Sequence, residues 1–191
     1  MMKITAMLPF LLLSATVSAA DIELPKPETS GGMPLMEALQ NRRTDRKFSS
    51  KPLPRQILSN LLWAANGINR PDGRRTAPTA LNRQELSLYV MIPEGTFRYE
   101  SAENKLVQIS TERTGDAPLM VVFVADTSKQ QLRFAQVDSG FIGQNIYLYC
   151  ASEKLATVFR ASFREADYAP LLKLPETQKM LYVQAVGYPA E

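Results

Sequence analysis

The stretch Leu119-Met120-Val121-Val122-Phe123-Val124-Ala125 is apolar at every position. Alternate side chains of a strand point to opposite faces, so an unbroken apolar run is typical of a strand that is covered on both faces. The stretch therefore predicts the buried centre of a sheet with other elements packed above and below it. We expect the rest of the chain to assemble around this strand.

Three more regions predict strands. Residues 86–92 alternate Leu, Leu, Val and Ile with Ser, Tyr and Met, which indicates a half-buried strand. After a turn at residues 93–95, residues 96–100 and 105–109 predict a hairpin about Asn104. Residues 180–186 predict the closing strand.

Two helices are expected before these strands. Pro34 opens a short helix with apolar residues on one side. Pro54 opens a stronger helix, in which Ile57, Leu58, Leu61, Leu62 and Ala65 recur at helical spacing. Gly67 is the expected end of that helix. Trp63, on the same helix, is expected in the core.

A capping-box spacing, in which a hydroxyl side chain precedes Glu or Gln by three residues, begins two later helical regions. The first follows residues 128–131 and extends to about Lys154, with a possible break near Asp138. The second follows residues 162–165. Together the elements predict an α+β fold, with helices covering a mainly antiparallel central sheet.

Residues 1–20 have the pattern of a secretory signal peptide. Lys3 precedes an apolar run at residues 7–13, and small residues occupy positions 17–20. We therefore expect an exported, periplasmic protein that is soluble after this segment is removed. Residues 21–33 are rich in Pro and Gly and predict an extended N-terminal arm, and residues 34–191 predict one domain.

Charge and hydropathy disfavour two classes of partner. The chain has 22 Lys and Arg against 19 Asp and Glu, so that without Lys3 the net charge is +2 (21 − 19). Such a small charge creates no strong field toward nucleic acid or anionic lipid. After residue 20 no segment supplies the ~20 uninterrupted apolar residues that span a bilayer. We expect no nucleic-acid partner and no stable membrane insertion.

The chain contains no histidine and one cysteine. The lack of histidine excludes His-based catalytic triads, two-His zinc motifs and His proton relays. Cys150 lies in an apolar helical stretch, where a lone cysteine is usually buried filler. We therefore expect no metal site and no catalytic side chain, and any chemistry has to come from a bound cofactor.

A cluster of guanidinium groups follows the first predicted helix. Arg42, Arg43, Thr44 and Arg46 surround Asp45. The planar fork of arginine donates two parallel hydrogen bonds to an anion and keeps its charge at physiological pH, so the cluster can match a phosphate. A solvated basic turn at the carbonyl end of a helix has the same composition, and spacing alone leaves both interpretations open.

Six segments in collinear order resemble the nitroreductase family of FMN-dependent oxidoreductases, and within it the branch of oxazole- and thiazole-forming dehydrogenases. The similarity covers nearly the whole chain after residue 20. The segments are residues 42–48 (RRTDRKF), 61–70 (LLWAANGINR), 77–84 (APTALNRQ), 138–145 (DSGFIGQN), 155–163 (LATVFRASF) and 186–189 (VGYP).

The resemblance implies a three-layer, nitroreductase-like fold and a homodimer with two FMN sites at the subunit interface. By matching position, Arg42 and Thr44 would hold the FMN phosphate. Arg46 would lie nearer the ribityl chain and the pyrimidine edge of the flavin, and Arg43 would assist or face solvent.

The same resemblance assigns a second set of residues to the flavin. Pro78, Thr79, Ala80 and Asn82 would come from the partner subunit and line the phosphate and dimethylbenzene side of the cofactor. The backbone amides of Arg160 and Ala161 would approach flavin N5 and O4. The expected activity is transfer of hydride or electrons through bound FMN to or from a small organic substrate.

The chain departs from the family pattern at several positions. Lys154 replaces the usual glycine at the end of a helix, and the chain ends two residues after Pro189, where many members continue with a phosphate-binding Lys or Arg. Residues 93–109 form a short hairpin where many members have helices that shape the substrate pocket. The substrate therefore stays open, and so does the electron donor, because NADH and NADPH are mainly cytoplasmic.

Two other functions remain open at this stage. One is a non-catalytic flavin- or ligand-binding module with the same fold. The other is an interaction protein that uses the basic loop containing Arg70, Arg74 and Arg75. The second alternative rests on charge alone. It is the weaker of the two, because surface arginines often serve only to keep a protein soluble.

Overall fold

The computed structural model describes residues 20–190. The predicted signal peptide, except for Ala20, lies outside the described residues. A seven-stranded sheet runs through the domain in the order β1-β4-β3-β2-β5-β7-β6, and each neighbouring pair is antiparallel. The strands are β1 (Ile22–Glu23), β2 (Leu86–Ile92), β3 (Gly95–Glu100), β4 (Lys105–Ser110), β5 (Leu119–Asp126), β6 (Ala156–Arg160) and β7 (Gln178–Gly187).

Strand β5 is the buried centre that its apolar run predicts. It pairs with β2 on one side and β7 on the other, and residues 119–125 are each at most 1% exposed. The expectation of a half-buried β2 is wrong, because all its residues except Ser87 are buried. The alternation in the sequence predicts that Tyr89 and Met91 face solvent, but they pack in a second core on the other side of the sheet.

Helices cover both faces of the sheet and give the three-layer α+β arrangement that the sequence predicts. Helices α2 and α3 pack on the larger core, and α1 packs against α3. The short α4 contributes Leu172 to the second core. The helices are α1 (Leu35–Asn41), α2 (Arg55–Asn66), α3 (Leu132–Ser152) and α4 (Ala169–Leu172).

Helix α2 agrees with its sequence pattern. It follows Pro54 and ends at Gly67, whose N–H donates to the Trp63 carbonyl. Trp63 itself is only half-buried, and its indole N–H donates to the Ile68 carbonyl. The expectation that Trp63 lies in the core is therefore wrong. Its indole instead stabilises the loop after α2.

Neither predicted capping box forms. Ser128 Oγ bonds the Asp126 carboxylate instead of a helix N–H, and α3 starts after Gln131 without a side-chain cap. Near residues 162–165 a 3₁₀ turn at Glu165–Asp167 precedes α4, again without a side-chain cap. In both places the hydroxyl residue lies before the residue that precedes the helix, which spacing along the chain does not reveal.

Helix α3 is continuous through Asp138, so the possible break that the sequence indicates there is absent. Asp138 Oδ2 accepts the Ala80 N–H at 2.9 Å, and Ser139 Oγ donates to the Ala135 carbonyl. Because each of these two buried polar side chains has a hydrogen-bond partner, the helix can continue past them without leaving either one unsatisfied.

The N-terminal arm is joined to the domain. Ile22 pairs with Leu106, which makes the arm an edge strand of the sheet. The carbonyl of Pro25 accepts hydrogen bonds from Ser59 and from the Asn104 side chain. The expected extended arm therefore has a fixed course over α2 and the β3–β4 turn.

Among the helices in the described part of the chain, none combines the length and the apolar character needed to cross a membrane.

Candidate functional site

Residues 42–48 form an extended segment beside the free edge of β6. The Asp45 N–H donates to the Thr157 carbonyl at 2.9 Å, and Phe48 makes a β-bridge to Pro189. Within the segment the Lys47 N–H donates to the Asp45 carboxylate, and the contacts of each residue show where its side chain lies. The arginine cluster is thereby divided into two sets.

Arg42 and Thr44 converge on Tyr147 of α3. The Arg42 guanidinium carbon lies 5.3 Å from the Tyr147 ring centroid, and Thr44 Oγ1 lies 3.0 Å from the Tyr147 hydroxyl oxygen. That hydroxyl accepts the Phe159 N–H at 3.0 Å, so its own proton is available to Thr44. Arg42 forms no ion pair within residues 20–190, and its charge is available to an anion.

An open groove of about 310 Å³ begins beside Tyr147 and runs between α3 and β6. Its lining consists of Gly140, Gly143, Gln144, Tyr147 and Phe159. A Cβ at Gly143 would lie 2.8 Å from the Phe159 ring, whereas a Cβ at Gly140 would meet nothing within 4 Å. Gly143 lets Phe159 of β6 approach the helix, and the two glycines leave a smooth wall that ends at Tyr147.

Arg43 and Asp45 lie apart from that groove. They line a cavity of about 460 Å³ together with Glu37 and Lys154. Tyr147 also borders this cavity, which makes it the wall between the two spaces. Arg46 is exposed. The structure thus brings Arg42 and Thr44 together and places Arg43 elsewhere.

The end of β6 presents Arg160 and Ala161 near the same groove. Both guanidinium Nη atoms of Arg160 bond the Asp116 carboxylate at 2.9 Å, and this contact lowers the pKa of that carboxyl. Thr157 and Phe159 turn their backbone groups away from β7, toward the extended segment and Tyr147. Arg160 is the last residue of β6 and pairs with Val183, and Ala161 follows it in a bend.

The segment containing Pro78, Thr79, Ala80 and Asn82 is attached to the other end of α3. Its contact to Asp138 lies nine residues before Tyr147 on the helix, about 14 Å along the axis. Within one chain the structure therefore does not bring this segment to Arg42 and Thr44. Leu81, at its tip, is 82% exposed and has a φ of 56°.

A buried pair of carboxyl groups supports this segment. Glu85 and Asp138 are 1% and 3% exposed. The Glu85 carboxyl lies against that of Asp138, and neither Glu85 oxygen accepts a hydrogen bond from another described group. Burial, and then the neighbouring Asp138, raise the pKa of Glu85. A proton held on Glu85 turns the contact into a hydrogen bond to Asp138.

Sequence reasoning missed Tyr147 and the Glu85–Asp138 pair. Tyr147 is one of several aromatic residues in an apolar helical stretch, and nothing in the spacing separates it from core residues. Glu85 is an acid next to a predicted strand, where a solvated position is the usual expectation. Cys150 is buried as expected, and burial raises the pKa of its thiol.

Comparison with known proteins shows what the chain is similar to. The sequence model described as the nitroreductase family matches residues 39–188. A protein of Methanocaldococcus jannaschii that carries the name nitroreductase is 27% identical over 188 residues, which covers 84% of this chain and 93% of that protein.

Solved structures give the same result. A nitroreductase crystal structure from Ralstonia eutropha has a TM-score of 0.84 and 34% identity, with 90% of each chain covered. A chain of the Escherichia coli microcin synthetase McbBCD complex has a TM-score of 0.67 at 16% identity, with 99% of this chain and 85% of that chain covered. At that identity the second likeness is one of fold.

Proposed function

The chain belongs to the nitroreductase family, and on that premise we propose that it is an FMN-dependent oxidoreductase acting on a small organic substrate. The observation that carries the proposal is the convergence of Arg42 and Thr44 on Tyr147 at one end of the glycine-lined groove. This donor set fits a phosphate, since a cation without an ion pair lies beside a hydroxyl group.

In this proposal Arg42 and Thr44 hold the phosphate of FMN. Arg46, which is exposed, would lie near the ribityl chain and the pyrimidine edge. A cation at that edge stabilises negative charge on the reduced ring. The cofactor supplies the hydride and electron chemistry, so no histidine or other catalytic side chain is required.

The remaining residues of the chain orient the cofactor. The backbone amides of Arg160 and Ala161, at the end of β6, are the donors that we propose approach flavin N5 and O4. The Arg160 side chain is bound to Asp116, so we propose that Arg160 contacts the flavin through its backbone amide and not through its guanidinium group. Arg43, in the separate cavity, has at most a minor part in holding the phosphate.

We propose that the site is completed by a second copy of the chain. Apolar side chains of α3 are exposed in a stripe at Phe134, Val137 and Phe141, beside the glycine-lined groove. A partner packed on this stripe would bring its own residues 78–82 over the groove, which the same chain cannot do. Pro78, Thr79, Ala80 and Asn82 would then line the phosphate and dimethylbenzene side.

The substrate class and the location of the protein are also proposals. The resemblance of the collinear segments to the oxazole- and thiazole-forming branch supports azolines, nitroaromatics and quinones as candidate acceptors or donors. The signal pattern of residues 1–20 supports export. The electron donor is left open between a nicotinamide, a quinol and a reduced protein.

The experiment uses the chain after residue 20, purified and incubated with FMN. We expect the protein to retain flavin through gel filtration, to bleach with dithionite and to reoxidise when a nitroaromatic or a quinone is added. Flavin that is retained but never reoxidised by any acceptor would favour a non-catalytic binding module. Failure to retain flavin at all would contradict both functions.

A further inference from the structure

A second cavity lies at the end of α2, between the loop that follows the helix and strands β2 and β3. Its volume is about 280 Å³, which equals the liquid volume of about nine water molecules. It shares no lining residue with the groove beside Tyr147 or with the cavity at Arg43. The lining is almost entirely polar, with Leu88 as its one aliphatic residue.

The charges around this cavity are unbalanced. Arg75, Arg98 and Lys129 line it, and Glu100 is the one carboxylate among the lining residues, so the formal net charge is +2. Glu100 is already engaged, because it forms an ion pair with Arg98. Two cationic side chains, Arg75 and Lys129, are left without an ion pair in the described range.

Arg75 differs from the other two arginines of the basic loop. Arg74 is exposed and paired with Asp72, and Arg70 bonds its neighbour Asn69. Arg75 points inward, where its buried Nε has no partner and one Nη reaches only the Leu86 carbonyl at 3.4 Å. Burial lowers the pKa of this guanidinium. A buried cation with an unfilled donor is stabilised by an anion that bonds to it.

Two of the neutral lining residues, Asn66 and Tyr99, bear on what the cavity can bind. Asn66 is 2% exposed, and its Oδ1 has no hydrogen-bond partner. Burial raises the pKa of Tyr99 to about 12, so its ring carries no charge that would compete for the cations. The cavity therefore offers cationic donors at Arg75 and Lys129 and an unpaired acceptor at Asn66.

We propose that this cavity binds a small organic anion, a carboxylate or a phosphate ester that also carries a hydroxyl group. The anionic group bonds Arg75 and Lys129, and the hydroxyl donates to Asn66 Oδ1. The carboxylates of Glu85 and Asp126 are close enough to interact with Lys129, but neither forms an ion pair with it. None of its lining residues lines the groove beside Tyr147, although Gln84 bonds Thr79 and Asn82 of the segment proposed to line a partner's flavin.

The test is calorimetric titration of citrate and, separately, of inorganic phosphate into the full chain at low ionic strength. Two variants remove one cation each, Lys129→Gln on an exposed turn and Arg75→Gln within the cavity. The matched control is Arg74→Gln, which removes the same charge from the neighbouring, solvent-facing position. Sodium chloride at equal ionic strength controls for screening.

We expect saturable binding of at least one probe, with the stronger probe deciding between a carboxylate and a phosphate. Lys129→Gln should raise Kd by about tenfold or more, as loss of one charged hydrogen bond does. Arg74→Gln should leave Kd within about twofold of the parent. Absence of saturable binding for both probes would overturn the proposal. So would binding that Lys129→Gln leaves unchanged, since that anion would lie elsewhere, for example at Arg42.

Discussion

Arg42 is held with its guanidinium over the face of Tyr147, whose hydroxyl is fixed in turn by the Phe159 amide. A cation positioned against an aromatic face keeps its hydrogen-bond donors available at the ring edge. Arg43, one residue along, lines a separate cavity. The two arginines have the same chemistry and differ only in direction, so they form a matched pair for testing the site.

We expect Arg42→Ala to weaken FMN binding by about 1.5–3 kcal/mol, the range for a hydrogen bond to a charged group. Arg43→Ala should cost much less, because its side chain lines the cavity with Glu37 rather than the groove. Fluorescence titration of FMN into each variant measures the difference. Equal losses in the two variants would show that the phosphate does not lie at the Tyr147 end of the groove.

Glu85 is the second residue whose environment decides its chemistry. Its ordinary pKa is 4.5, and burial beside Asp138 raises it. The folded state therefore holds a proton that the unfolded state releases once pH exceeds 4.5. Folding stability falls as pH rises between 4.5 and the raised pKa, because the folded state binds more protons there.

Glu85→Gln should remove this pH dependence. The amide keeps the shape of a protonated carboxyl and can still donate to Asp138, but it cannot ionise. We expect a flatter plot of unfolding free energy against pH above 4.5 for the variant, measured by denaturant titration. Glu112→Gln, at an exposed position, is the control and should leave the wild-type slope unchanged. Parallel plots for wild type and Glu85→Gln would contradict the shared-proton interpretation.

At the scale of elements, the C-terminal end of α3 deviates from the usual helix stop. Lys154 has a φ of 57°, a left-handed conformation that favours glycine. The Leu155 N–H donates to the Cys150 carbonyl and the Lys154 N–H to Ala151, which is the Schellman pattern. The helix therefore ends as the family's glycine would end it, with a strained residue in that place.

Lys154→Gly should stabilise the protein by about 0.5–1 kcal/mol. The gain is the relieved cost of a left-handed side-chain residue, about 1–2 kcal/mol, less the extra backbone entropy of glycine. Chemical denaturation of the protein without added ligand measures it. Glu153→Gly, one position earlier at a φ of −91°, is the control and should destabilise. A loss of stability in both variants would mean that contacts of the Lys154 side chain outweigh the strain.

At the scale of the whole molecule, exposed large apolar side chains lie on α1, at Leu81 and along one side of α3. Phe134, Val137 and Phe141 are 36%, 59% and 44% exposed, and Leu81 lies on the segment attached to the same helix. Apolar groups in a contiguous stripe indicate a protein-binding surface more than isolated ones do. The groove and the stripe both lie on α3, so dimerisation of the chain and completion of the proposed flavin site would be coupled.

Val137→Asp should therefore convert a dimer into a monomer, because it buries a charge in the interface without a partner. Sedimentation velocity at micromolar concentration gives the mass directly, and FMN retention should fall together with it. Gln136→Asp changes the adjacent exposed position to the same residue and is expected to leave the dimer intact. A wild-type chain that sediments as a monomer with FMN bound would rule out the two-chain site.

The sequence by itself determined several elements and the family. The apolar run at residues 119–125 predicts a strand covered on both faces, the Pro54–Gly67 pattern predicts a helix, and collinear segments indicate the nitroreductase family. All three are confirmed. These features are local or depend on order along the chain, and a sequence contains that information directly.

The tertiary structure decided which residues share a space. It placed Arg43 in a different cavity from the groove near Arg42 and brought Tyr147 to Thr44. It directed the Arg75 side chain toward a cavity and buried Glu85 beside Asp138. It also buried Tyr89 and Met91 of β2, which alternation had placed toward solvent, because segments far along the chain cover that face. Side-chain direction and burial depend on contacts between distant segments, and those contacts form only when the whole domain packs.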